Sequence, residues 1–454
     1  MDLSGKTLFV ANRGEIAVRV GRAARALGMT VVQAHSEADR DMLAVKLADR
    51  AMEIGPPQAS KSYLDAAKVV AAAVESGADA VHPGYGFLSE NADFAEAVEA
   101  AGLIFVGPTP DTIRRMGDKV AAREAAKAAG VPTAPGSEGR LEGLDAARAV
   151  AAEIGYPIMI KAAAGGGGRG IRVAESDADL ARLVPQAQAE AQAAFGDGGL
   201  YLERLVTDAR HVEVQVMGDG SRAIHLWERE CSLQRRRQKV WEEAPAACLD
   251  DATRRELCAS AVRLAEAVNY RAAGTLEYLY DAARGEFHFL EMNTRIQVEH
   301  PVTEMVTGVD LVAEMIRIAF GEPLSLAQED VALNGHAIEV RVNAEDPANG
   351  FMPFPGLTGA MTVPEGVRFD TMLYEGYAIP PFYDSLLGKL IVHGADRDAA
   401  LATLREAIAG MTIEGLKTTL PLHAALARDP DVIAGETHTR WLEQWLETNT
   451  IEAA

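Results

Sequence analysis

Cysteine is scarce in this chain. The only three, Cys231, Cys248 and Cys258, form no C-x-x-C pair and no even set. That excludes a disulfide framework and a thiolate zinc site, and leaves three small buried thiols in a reducing compartment. Long apolar runs are missing as well. The first, residues 8–11, stops at Asn12 and Arg13, too short for a signal segment. No run reaches the roughly 18 residues that a membrane helix needs. Bases are in deficit: 44 Lys and Arg face 66 Asp and Glu, a formal charge of −22. Such a field repels phosphate backbones, so nucleic acid is excluded as the main partner and any ATP must be met by locally gathered bases. No internal repeat or low-complexity tract occurs, and the alanine-rich runs read as helix formers. The expectation is a cytoplasmic protein with neither membrane nor nucleic acid as partner.

What is present is an ordinary soluble composition over 454 residues, 48% apolar, which is too long for one hydrophobic core. KTLFVA (6–11), MTVVQAHS (29–36), ADAVHPG (78–84) and GLIFVG (102–107) are compact apolar runs separated by helix-like stretches. That alternation predicts a parallel, doubly wound sheet. From 118 the pattern changes. A helix ends at Gly130, and strands are expected over 156–161, 199–206 and 211–220. GTLEYLYDAARGEFHFLEMN (274–293) reads as a hairpin with its turn at Ala-Ala-Arg-Gly. A third region begins near 320.

Three stretches carry chemistry. KAAAGGGGRG (161–170) joins two strands, and four consecutive glycines leave backbone N–H groups free to approach a phosphate chain, with Lys161 at the strand end as a point charge. A flexible surface hairpin explains the loop equally well, and G-x-x-x-x-G-K-[ST] is absent. Glu277 and Glu291 fall on opposite arms of the hairpin, where strand neighbours sit about 5 Å apart. Two carboxylates that close raise a pKa or demand a cation between them. With Asn293 two residues on, hard oxygen ligands suit Mg²⁺ carrying ATP phosphates. Finally, EMNTRIQVEH (291–300) is polar at every odd position, predicting an extended segment with Glu291, Asn293, Arg295, Gln297 and Glu299 on one face. The bland alternative for Arg295 and Glu299 is a surface ion pair at i, i+4.

MGDK (116–119), the glycine loop, the paired glutamates and EMNTRIQVEHPVTE (291–304) together resemble the ATP-grasp family, and more narrowly the biotin carboxylases. VANRGEIAVR (10–19), HPGYGFLSEN (82–91), QRRRQKVWEEAP (234–245), RVNAEDP (341–347) and YDSLLGKL (383–390) fit the same family, so the likeness covers nearly the whole chain. It implies a mixed α/β and α+β fold: an N-terminal Rossmann-like domain (1–117), an ATP-grasp domain (118–320) with a mobile lid over about 134–206, and a C-terminal biotin carboxylase domain (321–454).

The resemblance also implies roles. Lys119, Lys161, Gly167 and Gly168 meet ATP phosphates. Glu203, Arg204, Val206, His211, Gln234 and Arg237 line the nucleotide. Glu277, Glu291 and Asn293 hold Mg²⁺ or Mn²⁺. Arg295, with its planar fork, meets bicarbonate bidentately beside Lys239, Gln297 and Val298. Glu299 is the base that deprotonates bicarbonate before it attacks the γ-phosphate, Arg341 stabilises the biotin enolate, and Tyr85 is a further cofactor-binding residue. Departures from the family pattern are Arg237 for the usual histidine, Arg204 for lysine, Trp241 for a small aliphatic residue and Ala163-Ala164 for a Ser-Gly pair. None removes a metal ligand, the base or either anion-binding arginine.

No Met-Lys-Met attachment site occurs, so biotin is expected on a separate carrier protein or biotinyl domain, with a carboxyltransferase subunit downstream and a homodimeric assembly. An acetyl-CoA or other acyl-CoA carboxylase is the expected setting. A pyruvate or urea carboxylase, or another ATP-grasp ligase, is the alternative. A silent nucleotide-binding scaffold is supported only by Arg237.

Overall fold

The computed structural model describes residues 2–141, 143–162 and 172–451. Four of the expected N-terminal strands form and pair in parallel, joined by a fifth, Arg50–Gly55, that its mixed polarity had hidden. The order is Arg50–Gly55, Thr30–Ser36, Thr7–Val10, Ala80–His82, Ile104–Phe105, with helices between successive strands.

The centre of the molecule is an antiparallel sheet of eight strands. Its order is Glu286–Asn293, Arg271–Asp281, Arg210–Asp219, Ala223–Arg235, Gln238–Ala244, His336–Asn343, Leu386–Gly394, Arg368–Thr371. The middle and C-terminal parts of the chain therefore share one continuous sheet. The hairpin expected over 274–293 is its edge. Alternation explains how the sheet serves two purposes. On Arg210–Asp219, Val212, Val214 and Val216 enter a core with Leu276, Tyr278 and Leu264. Glu213 and Gln215, on the other face, are equally buried but polar.

A third, three-stranded sheet (Arg172–Ala174, Ile158–Ala162, Leu200–Arg204) carries the glycine loop between its first two strands in sequence. Gly167 and Gly168, and the Ala163-Ala164 pair, lie outside the described residues. The cysteines are free, as expected, and Cys231 and Cys258 are buried, whereas Cys248 is only partly so. No described helix is long and apolar enough to cross a membrane.

A buried ionic clamp ties the sheet to the C-terminal helices. Arg397 donates to Glu243 through Nε at 2.6 Å and Nη2 at 3.1 Å, and to the carbonyls of Val432 and Ile433. His336 Nε2 lies 2.7 Å from the same carboxylate. Burial alone would raise the pKa of Glu243, but His336 and Arg397 outweigh it and hold it at about 2. A carboxylate depressed from 4.5 contributes stability that is complete above that pH and lost as the pH falls toward 2. The contribution is on the order of 3 kcal/mol. Glu243→Gln is therefore expected to lower the urea midpoint at neutral pH, with the gap to the wild-type protein closing as the medium is acidified. A gap that stays constant through that titration contradicts the assignment.

Candidate functional site

The site is built on the polar face of the central sheet, where three buried carboxylates meet one lysine. Lys239 Nζ donates to Glu213 at 2.5 Å, Glu277 at 3.0 Å and Glu299 at 2.5 Å. Behind it Arg229, fully buried, bonds Glu213, Gln215, Thr275 and Thr303, and so staples three strands to the helix His300–Thr307. Arg341 lies on the far side. Its Nη2 is 3.0 Å from Glu299, and its Nε donates to Glu242 at 2.7 Å. His211 Nε2 is 3.4 Å from Glu277 and 3.5 Å from Glu213.

Electrostatics follow from this interleaving of signs. Burial disfavours ionised Glu213 and Glu299, yet the adjacent cations outweigh it, and both are held below the usual carboxylate range. For Glu299 those cations are Lys239, Arg341 and Arg229. Burial would likewise strip His211 of its proton, but Glu277 chiefly, with Glu213, raises it to about 9. A buried, ionised glutamate between a lysine and an arginine is a fixed proton acceptor.

Glu277 and Glu291 are register partners on adjacent strands, as the hairpin reading required. They behave differently. Glu277 Oε1 accepts from Lys239, from Asn293 Nδ2 at 2.9 Å and from Gln297 Nε2 at 3.2 Å. The Glu291 carboxylate is held by no described donor, and burial followed by repulsion from Glu277 raises its pKa. Lys119 and His211 act on it only at a distance and do not outweigh burial, and a half-buried acid with a raised pKa and no hydrogen-bonded cation is suited to a divalent ion.

One expectation is corrected. The strand ends at Asn293, and residues 294–299 turn back to enter the helix His300–Thr307, whose preceding residue is Glu299. Arg295 and Gln297 are thus linked to the carboxylate cluster through a turn rather than along an extended face. Tertiary contacts drive the fold-back: Glu90 accepts from Thr294 N at 3.1 Å and from Arg295 Nε at 2.9 Å. Arg295 also donates to Gln297 Oε1 and to Asn293 Oδ1, and makes no ion pair with Glu299. The Val298 carbonyl accepts from Lys389 Nζ at 2.7 Å.

The remaining expected residues lie around this cluster rather than in it. Lys161 is paired with Glu203, which Arg123 also reaches at 3.4 Å. Arg204 bonds Glu286 at 2.7 Å, and Val206 is buried beside it in sequence. Lys119 starts the helix Lys119–Ala128 with its side chain exposed. Gln234 donates to the Cys231 carbonyl, and Arg237 sits in the tight turn after Ala223–Arg235 with φ of 65°. Tyr85 donates to Glu15 at 2.5 Å, and Glu15 is ion-paired with Lys389.

Sequence reasoning missed Glu213, Arg229, Glu242 and Glu90. Glu213 had a signal: HVEVQV alternates with the same period as TLEY, placing Glu213 and Gln215 on one face. Arg229 and Glu242 had none, because their partners are tertiary.

Similarity to known proteins agrees with this geometry. Family models match in order: "Biotin carboxylase, N-terminal domain" over residues 4–113, "Carbamoyl-phosphate synthase L chain, ATP binding domain" over 118–327, and "Biotin carboxylase C-terminal domain" over 339–444. The biotin carboxylase of Pseudomonas aeruginosa is 54% identical over 443 residues, 97% of this chain and 98% of its own. The chain belongs to the biotin carboxylase family. It is an ATP-dependent ligase with an ATP-grasp domain between N- and C-terminal biotin carboxylase domains. Among solved structures, the biotin carboxylase of Campylobacter jejuni in a βγ-ATP complex superposes with a TM-score of 0.90 at 45% identity, covering 97% of this chain and 98% of that one. The biotin carboxylase domain dimer of Hydrogenobacter thermophilus 2-oxoglutarate carboxylase, bound to MgADP, ADP and bicarbonate, gives 0.87 at 47% identity, with 97% of each chain covered.

Proposed function

We propose that this biotin carboxylase uses ATP and bicarbonate to carboxylate biotin presented on a carrier protein or biotinyl domain, and that its acceptor downstream is an acyl-CoA. The observation that carries the chemistry is Glu299, fully buried and clamped by Lys239 and Arg341. In this reading Glu299 takes the proton of bicarbonate, whose oxygen then attacks the γ-phosphate to give carboxyphosphate and ADP. Arg295 and Gln297 orient the anion, and Lys239 keeps Glu299 ionised. Carboxyphosphate then breaks down to CO₂ and phosphate, the phosphate takes the ureido N–H proton of biotin, and Arg341 holds the negative charge that develops on the ureido oxygen while the nitrogen attacks CO₂.

Glu277, Glu291 and Asn293 would hold the divalent ion. Glu291, with no described donor and a pKa raised by burial, fits it, while the Asn293 oxygen is engaged by Arg295 and must be released. Bound there, the ion supplies charge neutralisation to the ATP phosphates. Lys119, Lys161, Glu203, Arg204, Val206, His211, Gln234 and Arg237 would line the nucleotide, with Lys161 exchanging Glu203 for phosphate. Gly167 and Gly168, outside the described residues, would meet the ATP phosphates as the resemblance implies.

A homodimer in the cytoplasm, working with a carboxyltransferase subunit, completes the proposal. The dimer reported for the Hydrogenobacter domain supports the homodimer. That domain serves a 2-oxoglutarate carboxylase, so an oxo-acid acceptor is the second reading, as are pyruvate and urea. The test is ADP release by the purified protein with Mg²⁺. The expected result is turnover that needs bicarbonate and rises with free biotin. ADP release indifferent to both contradicts the proposal.

A further inference from the structure

The cluster contains more carboxylates than its cations can neutralise. Glu242 and Glu339 are register partners on the adjacent antiparallel strands Gln238–Ala244 and His336–Asn343, so their side chains leave one face of the sheet about 5 Å apart at Cβ. Both are fully buried. Glu242 Oε1 takes Arg341, but its Oε2 and both oxygens of Glu339 have no described partner. The charged groups that reach the pair are Arg341 on the Glu339 strand, Lys389 on the next strand, Lys239 on the Glu242 strand and Glu299 before the helix. Each cation is already committed. Arg341 serves Glu242 and Glu299, Lys239 serves three other acids, and Lys389 is held by Glu15 and the Val298 carbonyl.

Two buried ionised carboxylates with three empty oxygens and one shared guanidinium are not sustainable, whereas a proton bridging them satisfies both. Glu242 has the cation, so the proton belongs to Glu339.

We propose that Glu339 is held as a neutral carboxylic acid donating to Glu242, and that Glu242, so fixed, is a positioning residue that keeps Arg341 aimed at Glu299 and the reacting anion. Burial raises both acids against the opposing pull of the nearest cations, Arg341 for Glu242 and Lys389 for Glu339, taking Glu339 well above the normal range and Glu242 to about 7. Were Glu339 ionised, Arg341 would face three carboxylates and have little positive charge left for an anionic substrate. The positioning role rests on the function proposed above, whereas the protonation state does not.

Infrared difference spectroscopy on the full chain at neutral pH tests the second point without any turnover. Wild type minus Glu339→Gln is expected to show the carbonyl band of a buried protonated carboxylic acid. Loss of ionised carboxylate bands instead overturns the proposal, as does a Glu339→Gln protein that fails to fold, since a neutral isostere belongs at this position. The kinetic arm is Glu242→Gln. Its kcat for biotin-dependent turnover is expected to fall at least about tenfold with the KM for ATP within roughly twofold, because only the aim of Arg341 changes. Glu242→Asp is expected to recover part of the loss. An unchanged kcat, or a KM for ATP that rises in step with the loss, removes the positioning role. A wild-type protein with no biotin-dependent turnover would instead count against the proposed function and leave the infrared result standing.

Discussion

Glu299→Gln is expected to lower bicarbonate-dependent ADP release at least about a hundredfold, the usual scale of a lost general base. The substitution keeps the volume and the buried position and removes only the ability to take a proton. Lys239 retains Glu213 and Glu277, and Arg341 retains Glu242, so the surrounding lattice of charges keeps its partners. The loss should therefore appear in kcat, with circular dichroism and thermal unfolding close to wild type. A rate within tenfold of wild type would reassign the base.

Lys239→Met has the other large expected effect, and here stability leads. Removing the ammonium leaves Glu213, Glu277 and Glu299 crowded with their common partner gone. Breaking a buried ion pair from one side costs about 3–5 kcal/mol, and three acids depend on this one. Arg229 remains for Glu213 and Arg341 for Glu299, so Glu277, left chiefly to His211 and neutral amides, is hit hardest. With Lys239 absent, the forces that keep Glu299 ionised weaken, and residual activity should shift to higher pH. Urea denaturation measures the first effect and a pH–rate profile the second. A destabilisation below about 1 kcal/mol would mean that the acids are not interlocked through this lysine.

Much of the fold was legible because periodicity reports which face a residue occupies. The parallel N-terminal strands, the 274–293 hairpin and the pairing of Glu277 with Glu291 all follow from apolar runs, turn residues and strand alternation. Alternation is silent about partners. It placed Arg295, Gln297 and Glu299 on one extended face, whereas Glu90, some 205 positions earlier in the chain, pulls the segment into a turn. Arg50–Gly55 was overlooked because a six-residue strand that carries Arg50 and Glu53 lacks the apolar signature of its neighbours. The continuity of the sheet from the 210–293 region into the 336–394 region was likewise hidden, since it is made by pairing between distant strands. Resemblance to a family named the candidate residues, and only the coordinates revealed that Glu213, Arg229 and Glu242 keep them in place.

The central claim is that bicarbonate, deprotonated at Glu299, attacks the γ-phosphate of ATP. Turnover with ¹⁸O-labelled bicarbonate tests it at the atom concerned. If the attack occurs, the bridging oxygen stays with phosphorus when carboxyphosphate breaks down, and the phosphate released by the wild-type protein carries one ¹⁸O from bicarbonate. Phosphate labelled only from solvent water would contradict the account.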